Sequence, residues 1–384
     1  MMTSAEPRHR GRRILRALVS VALVAAIFGF ALPHFASYHS VWASLHAMTW
    51  SQVALVATTA FLSMATVWVM ICSVLPSIRL REAVVVNLGS NAVANTLPAG
   101  GALAMGVSWA MLSSWGVDTA EYVLYTLVSG IWNVFARLGL PVLALLILLT
   151  AARPGAILIA AAAVGLVLLG AVAAAFGLLL CSESFARRAG GILQRPAAAC
   201  CRLARRTPPE EVTGSLLAFR GRASVLLAAR SWRISAATAA SNLALWLVLL
   251  TCLRGVGLSQ TQVPWQTSLA AFAFVRLATA LPLTPGGLGL TELGLVGTLA
   301  AGAGHRASAQ VAAAVLLYRA VTYLPPIPLG ALACLTWRHA PGLIHRGGRP
   351  EPVAAVQPTC IQPEPDGEPA ATSSEDDFRR TSAA

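Results

Sequence analysis

Pro285-Gly286-Gly287-Leu288-Gly289-Leu290-Thr291-Glu292 divides a long apolar region into two pieces, Trp265 to Leu283 and Leu293 to Ala303, each too short to cross a bilayer comfortably. A hydrocarbon core of ~30 Å takes about 20 apolar residues of helix, and a proline with three glycines stops any helix drawn through both pieces. The two pieces therefore read as the arms of a re-entrant hairpin. Irregular backbone at membrane depth persists only where protein buries it or where it lines a watery cavity. Glycines at the tip let other groups approach the main chain closely. The helix that begins near Leu288 points its positive dipole end and open N–H groups at that tip, which suits an anionic headgroup.

Composition places this hairpin in a membrane protein. Of 384 residues, 57% are hydrophobic and 11% charged, against about 25% charged in soluble domains; the mean hydropathy is +0.69. The net charge of +13 does not point to nucleic acid, because the basic residues cluster beside apolar runs, as the positive-inside rule requires. All of them are arginine, so lysine nucleophiles and Schiff bases are excluded. The seven cysteines lack the paired spacing of a zinc site.

Outward from the hairpin, six full spans emerge: Ile14–Leu32, Trp50–Leu75, Tyr122–Thr150, Ala156–Leu180, Ile234–Leu253 and Ala307–Trp337. Met1–Arg13 is a basic, cytoplasmic N-terminus. Ser182–Arg233 carries ten arginines and reads as a cytoplasmic loop along the membrane surface. Asp118 or Thr119 is placed to cap the helix that starts at Tyr122. Arg338–Ala384 is a Pro-rich, acid-dotted cytoplasmic tail with too little apolar surface to fold.

Ala83–Trp115, centred on Asn95-Thr96-Leu97-Pro98-Ala99-Gly100-Gly101, reads as a second hairpin. Its first arm carries Asn87, Ser90, Asn91 and Asn95, which in lipid must find partners within the protein. Aligning Pro98-Ala99-Gly100-Gly101 with Pro285-Gly286-Gly287 brings the flanking features into step. Arg137 then Pro141 matches Arg319 then Pro325. Each half reads as span, hairpin, and a long helix with Arg and Pro. With both termini inside, the hairpins enter from opposite sides, an inverted repeat of the kind transporters use. The fold class is thus all-α and polytopic, with about six transmembrane helices and two re-entrant hairpins, the membrane domain covering 14–338.

A charge near the bilayer centre costs roughly 2.5–3.5 kcal/mol on insertion scales and marks a functional position by default. Arg276, Glu292 and Arg319 fall near the second hairpin, and Arg137 occupies the equivalent helix of the first half. Two uses are open: a phosphate site in which arginines fork onto the oxygens, or an internal pair of Glu292 with Arg319 or Arg276 that only pins the hairpin. Arg137 has a further outlet in Glu121 or Asp118. Trp109 and Trp132 read as packing or interfacial residues.

Pro285-Gly286-Gly287-Leu288-Gly289-Leu290-Thr291-Glu292, Ala313 to Arg319, Thr322-Tyr323-Leu324-Pro325 and Leu329-Gly330 together resemble the signature of the lysylphosphatidylglycerol synthetase transmembrane, or flippase-like, family. The match extends more loosely over about Arg13 to Arg338. The resemblance implies an inner-membrane protein with paired re-entrant helices that moves or handles lipids. It carries Pro285, Gly286, Gly287, Gly289, Glu292 and Arg319 over as site residues. Relatives with Arg and Glu after the first hairpin's Pro-Gly differ from this chain, where Ala102-Leu103-Ala104-Met105 follows. A tail in place of a soluble aminoacyl-transferase domain implies that this chain does not make aminoacylated lipids.

The expected substrate-binding set is Arg276, Pro285, Gly286, Gly287, Gly289, Glu292, Arg319 and Tyr323, with Arg137, Asn95, Pro98, Gly100 and Gly101 from the first half. No catalytic constellation, metal set or P-loop is present in the sequence, so neither enzyme activity nor a cofactor is expected. The expected partners are anionic membrane lipids, including polyprenyl phosphates, and a lipid-modifying enzyme, with no nucleic acid. Rival readings are a membrane-embedded lipid-dependent glycosyltransferase and a lipid-binding scaffold that does not transport. The topology makes a direct prediction: reporters fused after Arg222 and Arg346 read cytoplasmic and one at Ser259 reads external. An external signal from Arg222 contradicts the inverted repeat.

Overall fold

The computed structural model of the chain describes residues 43, 46–96, 100–151, 156–203, 212–279, 289–303 and 307–339. In chain order these form α1 (Trp50–Val74), α2 (Leu80–Thr96), α3 (Gly100–Ser114), α4 (Thr119–Ala151), α5 (Ala156–Cys181) and α6 (Glu183–Leu203). Then follow α7 (Val212–Gly255), α8 (Trp265–Ala278), α9 (Leu290–Ala303), α10 (Ser308–Tyr323) and α11 (Pro326–His339). Among the described residues, five stretches are long and apolar enough to cross a membrane: Trp50–Val74, Thr119–Leu148, Ala163–Cys181, Thr213–Gly255 and Ser308–Trp337. They coincide with five of the six expected spans. The remaining one, Ile14–Leu32, lies outside the described residues, as do Met1–Arg13 and the tail from 340 onward.

Local chemistry sets where these helices begin and end. Thr49 and Gln52 close a capping box at the start of α1, and the Asp118 carboxylate accepts from the Glu121 N–H at 2.6 Å to start α4. After α3, Gly116 takes a positive φ of 82°, and the Val117 N–H reaches back to the Leu112 carbonyl at 3.1 Å. Gly257 repeats the device after α7 with φ 88° and a 3.1 Å bond from the Leu258 N–H to the Leu253 carbonyl. Glycine supports this left-handed stop without a Cβ clash. Arg254 then clasps the following loop, donating to the carbonyls of Leu258 at 2.9 Å and Val263 at 2.8 Å.

Two boundaries depart from the sequence reading. The Arg-rich segment 182–233 is helical over its described length: α6 occupies Glu183–Leu203, and α7 runs unbroken for 44 residues from Val212 into the next expected span. Arginine is a good helix former, and Phe219, Ala223, Leu227 and Ile234 give this part of α7 an apolar stripe that packs with Val74, Val128 and Phe176. At ~1.5 Å per residue α7 is about 66 Å long, roughly twice the hydrocarbon thickness, so its arginine-bearing half projects beyond the apolar half. The last span also divides. α10 ends at Tyr323 and α11 starts at Pro326, because Pro325 and Pro326 together remove two backbone donors. In α4 the single Pro141 is absorbed within the helix.

Helix contacts between the halves are reciprocal. α1 packs along α7; the α2/α3 pair sets α2 against α11, and the α8/α9 pair sets α8 against α4. Each pair thus leans on the last span of the opposite half: α8 on α4, which carries Arg137 and Pro141, and α2 on α11, which begins just beyond Arg319 and Pro325. The α2/α11 contact depends on small residues: a Cβ on Gly330 would lie 2.2 Å from the Leu88 carbonyl oxygen and 2.5 Å from the Ala92 Cβ. Close backbone approach of this kind is how membrane helices associate where lipid supplies no hydrophobic drive. The largest core gathers Phe272, Leu249, Leu253, Leu295, Leu299 and Val311 from α7 to α10.

Because backbone cannot yield as a side chain does, Gly330→Val should destabilise the detergent-purified protein by about 1–3 kcal/mol, read as a lowered melting temperature. Gly106→Ala, where an added Cβ meets nothing within 4 Å, should leave it near wild type. Equal melting temperatures for Gly330→Val and wild type would show that α11 does not seat on α2.

Candidate functional site

A cavity of about 380 Å³ opens where the two halves meet, lined from α1, α2, α4, α7, α8, α10 and α11. Its polar lining is Asn87, Asn91 and Asn95 from α2, Asn133 from α4, Ser241 and Asn242 from α7, Arg276 from α8, and Tyr318, Arg319, Thr322 and Tyr323 from α10. Ser63 of α1 adds a hydroxyl. Among the described lining residues two are cationic and none is acidic. The three α2 asparagines recur every four residues, which puts them on one face of the helix.

Arg276 lines the cavity without an ion pair to any described residue. Its Nη2 donates to the Asn242 Oδ1 at 3.1 Å, and its Cζ stands 5.9 Å from the Phe272 ring centroid. Its Nε is buried without a hydrogen-bond partner among the described residues. Asn242 is 3% exposed and itself held, its Nδ2 donating to the Thr238 carbonyl at 2.9 Å. The carboxamide orients the guanidinium but brings no negative charge.

Arg137 approaches the same place from α4. Its Nη1 donates to the carbonyl of Thr279 at 3.4 Å, just past the C-terminus of α8, where the helix dipole favours a cation. Its Nε also has no partner among the described residues. Neither Glu121 nor Asp118 serves as its outlet: no ion pair joins Arg137 to either.

Glu292 is organised differently. It is 1% exposed, and its two oxygens are divided between two partners. Oε2 accepts from the Gly289 N–H at 2.6 Å and Oε1 from the Arg319 Nε at 2.6 Å. Gly289 has a positive φ of 86°, so the carboxylate closes the first turn of α9 over a glycine that only glycine-like conformations satisfy. Arg319 in turn faces the Tyr323 ring at 5.1 Å. The Tyr323 hydroxyl donates to the Asn95 carbonyl at 2.8 Å, and the Asn95 Nδ2 to the Tyr323 carbonyl at 3.4 Å. One polar chain therefore runs from the start of α9 through α10 to the end of α2.

Of the expected site residues, Arg276, Arg319, Tyr323 and Asn95 line the cavity, while Arg137 and Glu292 are not part of its described lining. Gly289 serves the α9 start. Gly100 makes a tight approach, since a Cβ there would lie 2.3 Å from the Ala94 carbonyl oxygen; a Cβ on Gly101 would meet nothing within 4 Å. Pro98, Pro285, Gly286 and Gly287 lie outside the described residues. Sequence reasoning passed over Asn133 and Asn242, and gave Asn87 and Asn91 no site role. The four-residue spacing of Asn87, Asn91 and Asn95 was the available signal. Trp132 meets the packing role expected of it, with its Nε1 bonded to the Ser235 Oγ at 3.0 Å and its ring beside Phe135 and Phe176. Among the described residues no group of His, Cys, Asp or Glu could hold a metal.

Several membrane-length helices around a cationic, acid-free cavity define a polytopic helical membrane protein with a polar interior. Residues 17–330 match the family model described as the lysylphosphatidylglycerol synthase TM region, and the chain belongs to that family. No curated protein matches it. Membership supports a role with membrane lipids.

The Glu292 and Arg319 pair yields a stability prediction. Glu292→Gln or Arg319→Gln alone strands a buried charge and should cost about 3–5 kcal/mol, while the double variant should recover much of that loss. Thermal unfolding of the four proteins checks it; additive losses would mean that the pair is not coupled.

Proposed function

We propose that this protein binds an anionic lipid headgroup in the cavity between its halves and carries it between leaflets. The observation that supports this most is Arg276, a cation facing the cavity with Asn242 rather than an acid as its partner. A charge at membrane depth is retained against a cost of roughly 2.5–3.5 kcal/mol, and a phosphate is the ligand that forked guanidinium donors hold best. Arg137 adds positive potential from α4.

In this reading α2/α3 and α8/α9 are re-entrant hairpins. Their helices are 17, 15, 14 and 14 residues long, or about 21–26 Å at 1.5 Å per residue, less than the ~30 Å hydrocarbon core. The hairpins enter from opposite sides, both termini are cytoplasmic, and the protein resides in the inner membrane. Exchanging the conformations of two like halves would move the opening of the cavity from one side to the other. The Glu292, Arg319, Tyr323 and Asn95 chain ties the second hairpin to the first across this opening. A lipid-modifying enzyme acting on the same lipid is the corresponding partner.

In proteoliposomes, Arg276→Gln should reduce translocation of a labelled anionic phospholipid at least tenfold with protein levels maintained. The Glu292→Gln, Arg319→Gln double variant should be stable and inactive. Wild-type transport by Arg276→Gln would remove the headgroup site; recovery of transport in the double variant would make Glu292 and Arg319 structural only.

A further inference from the structure

Tyr323 and Asn95 close a joint that the chain leaves without helical hydrogen bonds. α10 ends at Tyr323 and α11 begins at Pro326. Bonds continuing the helix across this point would come from the N–H groups of residues 325 to 328, but Pro325, Pro326 and Pro328 have none. The remaining donor, Ile327, reaches only the Leu324 carbonyl, at 3.0 Å. Asn95 fills part of the gap. Its Nδ2 donates to the Tyr323 carbonyl at 3.4 Å, and its own carbonyl, in the last turn of α2, accepts from the Tyr323 hydroxyl at 2.8 Å. Each bond serves a carbonyl at the C-terminal end of a helix, where the helical pattern supplies no donor. Asn95, Tyr323 and Pro326 all line the cavity.

The helices on the two sides of this joint belong to different packed bodies. α11 is seated on the α2/α3 pair: besides the Gly330 approach to Leu88, a Cβ on Gly89 of α2 would lie 2.7 Å from the Met111 Cε of α3 and 3.2 Å from the Cys334 Sγ of α11. The Trp337 Nε1 donates to the Ser114 Oγ at 3.0 Å, tying α11 to α3. α10 instead buries Val311, Ala312, Ala313, Ala314 and Val315 in the core it shares with α7, α8 and α9, and Arg319 holds it to Glu292. We propose that α2, α3 and α11 move as one body that pivots at Leu324–Pro326, with the reciprocal Asn95 and Tyr323 bonds as the latch that fixes its angle to α10. This rests on the exchange of openings proposed above and names its moving part. Asn91 and Asn87 stand one and two turns from Asn95, about 6 and 12 Å along α2, so a change of angle at the joint displaces them increasingly from Arg276. The α1 side of the cavity presents Met64 and Met70, whose flexible side chains re-pack as α2 shifts. Water entering the opened cavity replaces both lost donors.

Spin labels on the full chain, in a background whose seven native cysteines are replaced by alanine or serine, read the movement as a distance. Labels at Leu335→Cys of α11 and Leu243→Cys of α7 report between the bodies, and labels at Leu335→Cys and Leu103→Cys of α3 report within one; all three leucines are exposed. Tyr323→Phe removes the hydroxyl bond and keeps the ring. It should add a displaced population to the between-body distances while the within-body distances stay at wild type. Pro325→Ala with Pro326→Ala restores two N–H donors to the joint, and adding this pair to Tyr323→Phe should remove the displaced population. In proteoliposomes the proline pair alone should slow translocation of a labelled anionic phospholipid at least tenfold, with binding of that lipid in detergent unchanged. Wild-type distances in Tyr323→Phe, or equal displacement in both label pairs, overturn the latch; wild-type transport by the proline pair overturns the hinge. A displaced population in a protein whose wild type translocates no lipid would remove the transport reading and support the moving body.

Discussion

An acid sealed from solvent is tolerated only when its oxygens are held, and Glu292 shows what the fold builds around that constraint. One oxygen stops the α9 backbone from fraying at Gly289 and the other fixes Arg319 on α10. Without that division the Gly289 N–H at the start of α9 would lose its acceptor in a place sealed from solvent, where no water replaces it. Arg319 is thereby turned toward Tyr323 and the end of α2. The pair thus sets the position of one wall of the cavity. Among the described residues it also leaves Arg276 as the lining cation without an acid, a separation of roles that the proposed headgroup site uses.

That separation follows from how the halves exchange partners. α8, which carries Arg276, leans on α4 of the first half, and α2, which carries the asparagines, leans on α11 of the second. A ligand between Arg276 and the α2 asparagines would therefore touch both halves at once, and any movement of one half against the other would alter its contacts. Close packing at Gly330 keeps the α2/α11 seam from loosening as a greasy, nonspecific contact would. The differential grip that couples a ligand to a conformational change is available here because the cationic and carboxamide components sit on different helices.

Much of this architecture was legible from residue patterns. Apolar runs of membrane length marked the spans that α1, α4, α5, α7 and the α10/α11 pair occupy, since bilayer thickness constrains helix length so strongly. Asp118 was one of two residues placed to cap α4, whereas the division at Pro325 and Pro326 falls inside a segment whose apolar length reads as one span. The partner of Glu292 was narrowed to two arginines, and the geometry gives the carboxylate to Arg319 of α10 although α8 also lies against the start of α9, where Val275 meets Gly294. Other features depend on packing that no local window contains. The arginines of 212–233 read as a loop because charge hides the stripe of Phe219, Ala223 and Leu227 that holds that part of α7 in place. Asn242 and Asn133 stand alone in apolar surroundings, and nothing short of the fold shows that they converge with Arg276. The glycine-rich turn singled out the right region, while the polar lining came from helices around it.

The central claim is that Arg276 holds an anionic headgroup between the two halves. An electron cryo-microscopy structure of the full chain in nanodiscs of anionic lipid tests it most directly. The account predicts a headgroup phosphate within hydrogen-bond distance of the Arg276 guanidinium, enclosed by α2, α7, α8 and α10. A cavity without lipid, with Arg276 paired to a carboxylate and the anionic lipids confined to the outer surface, would contradict it.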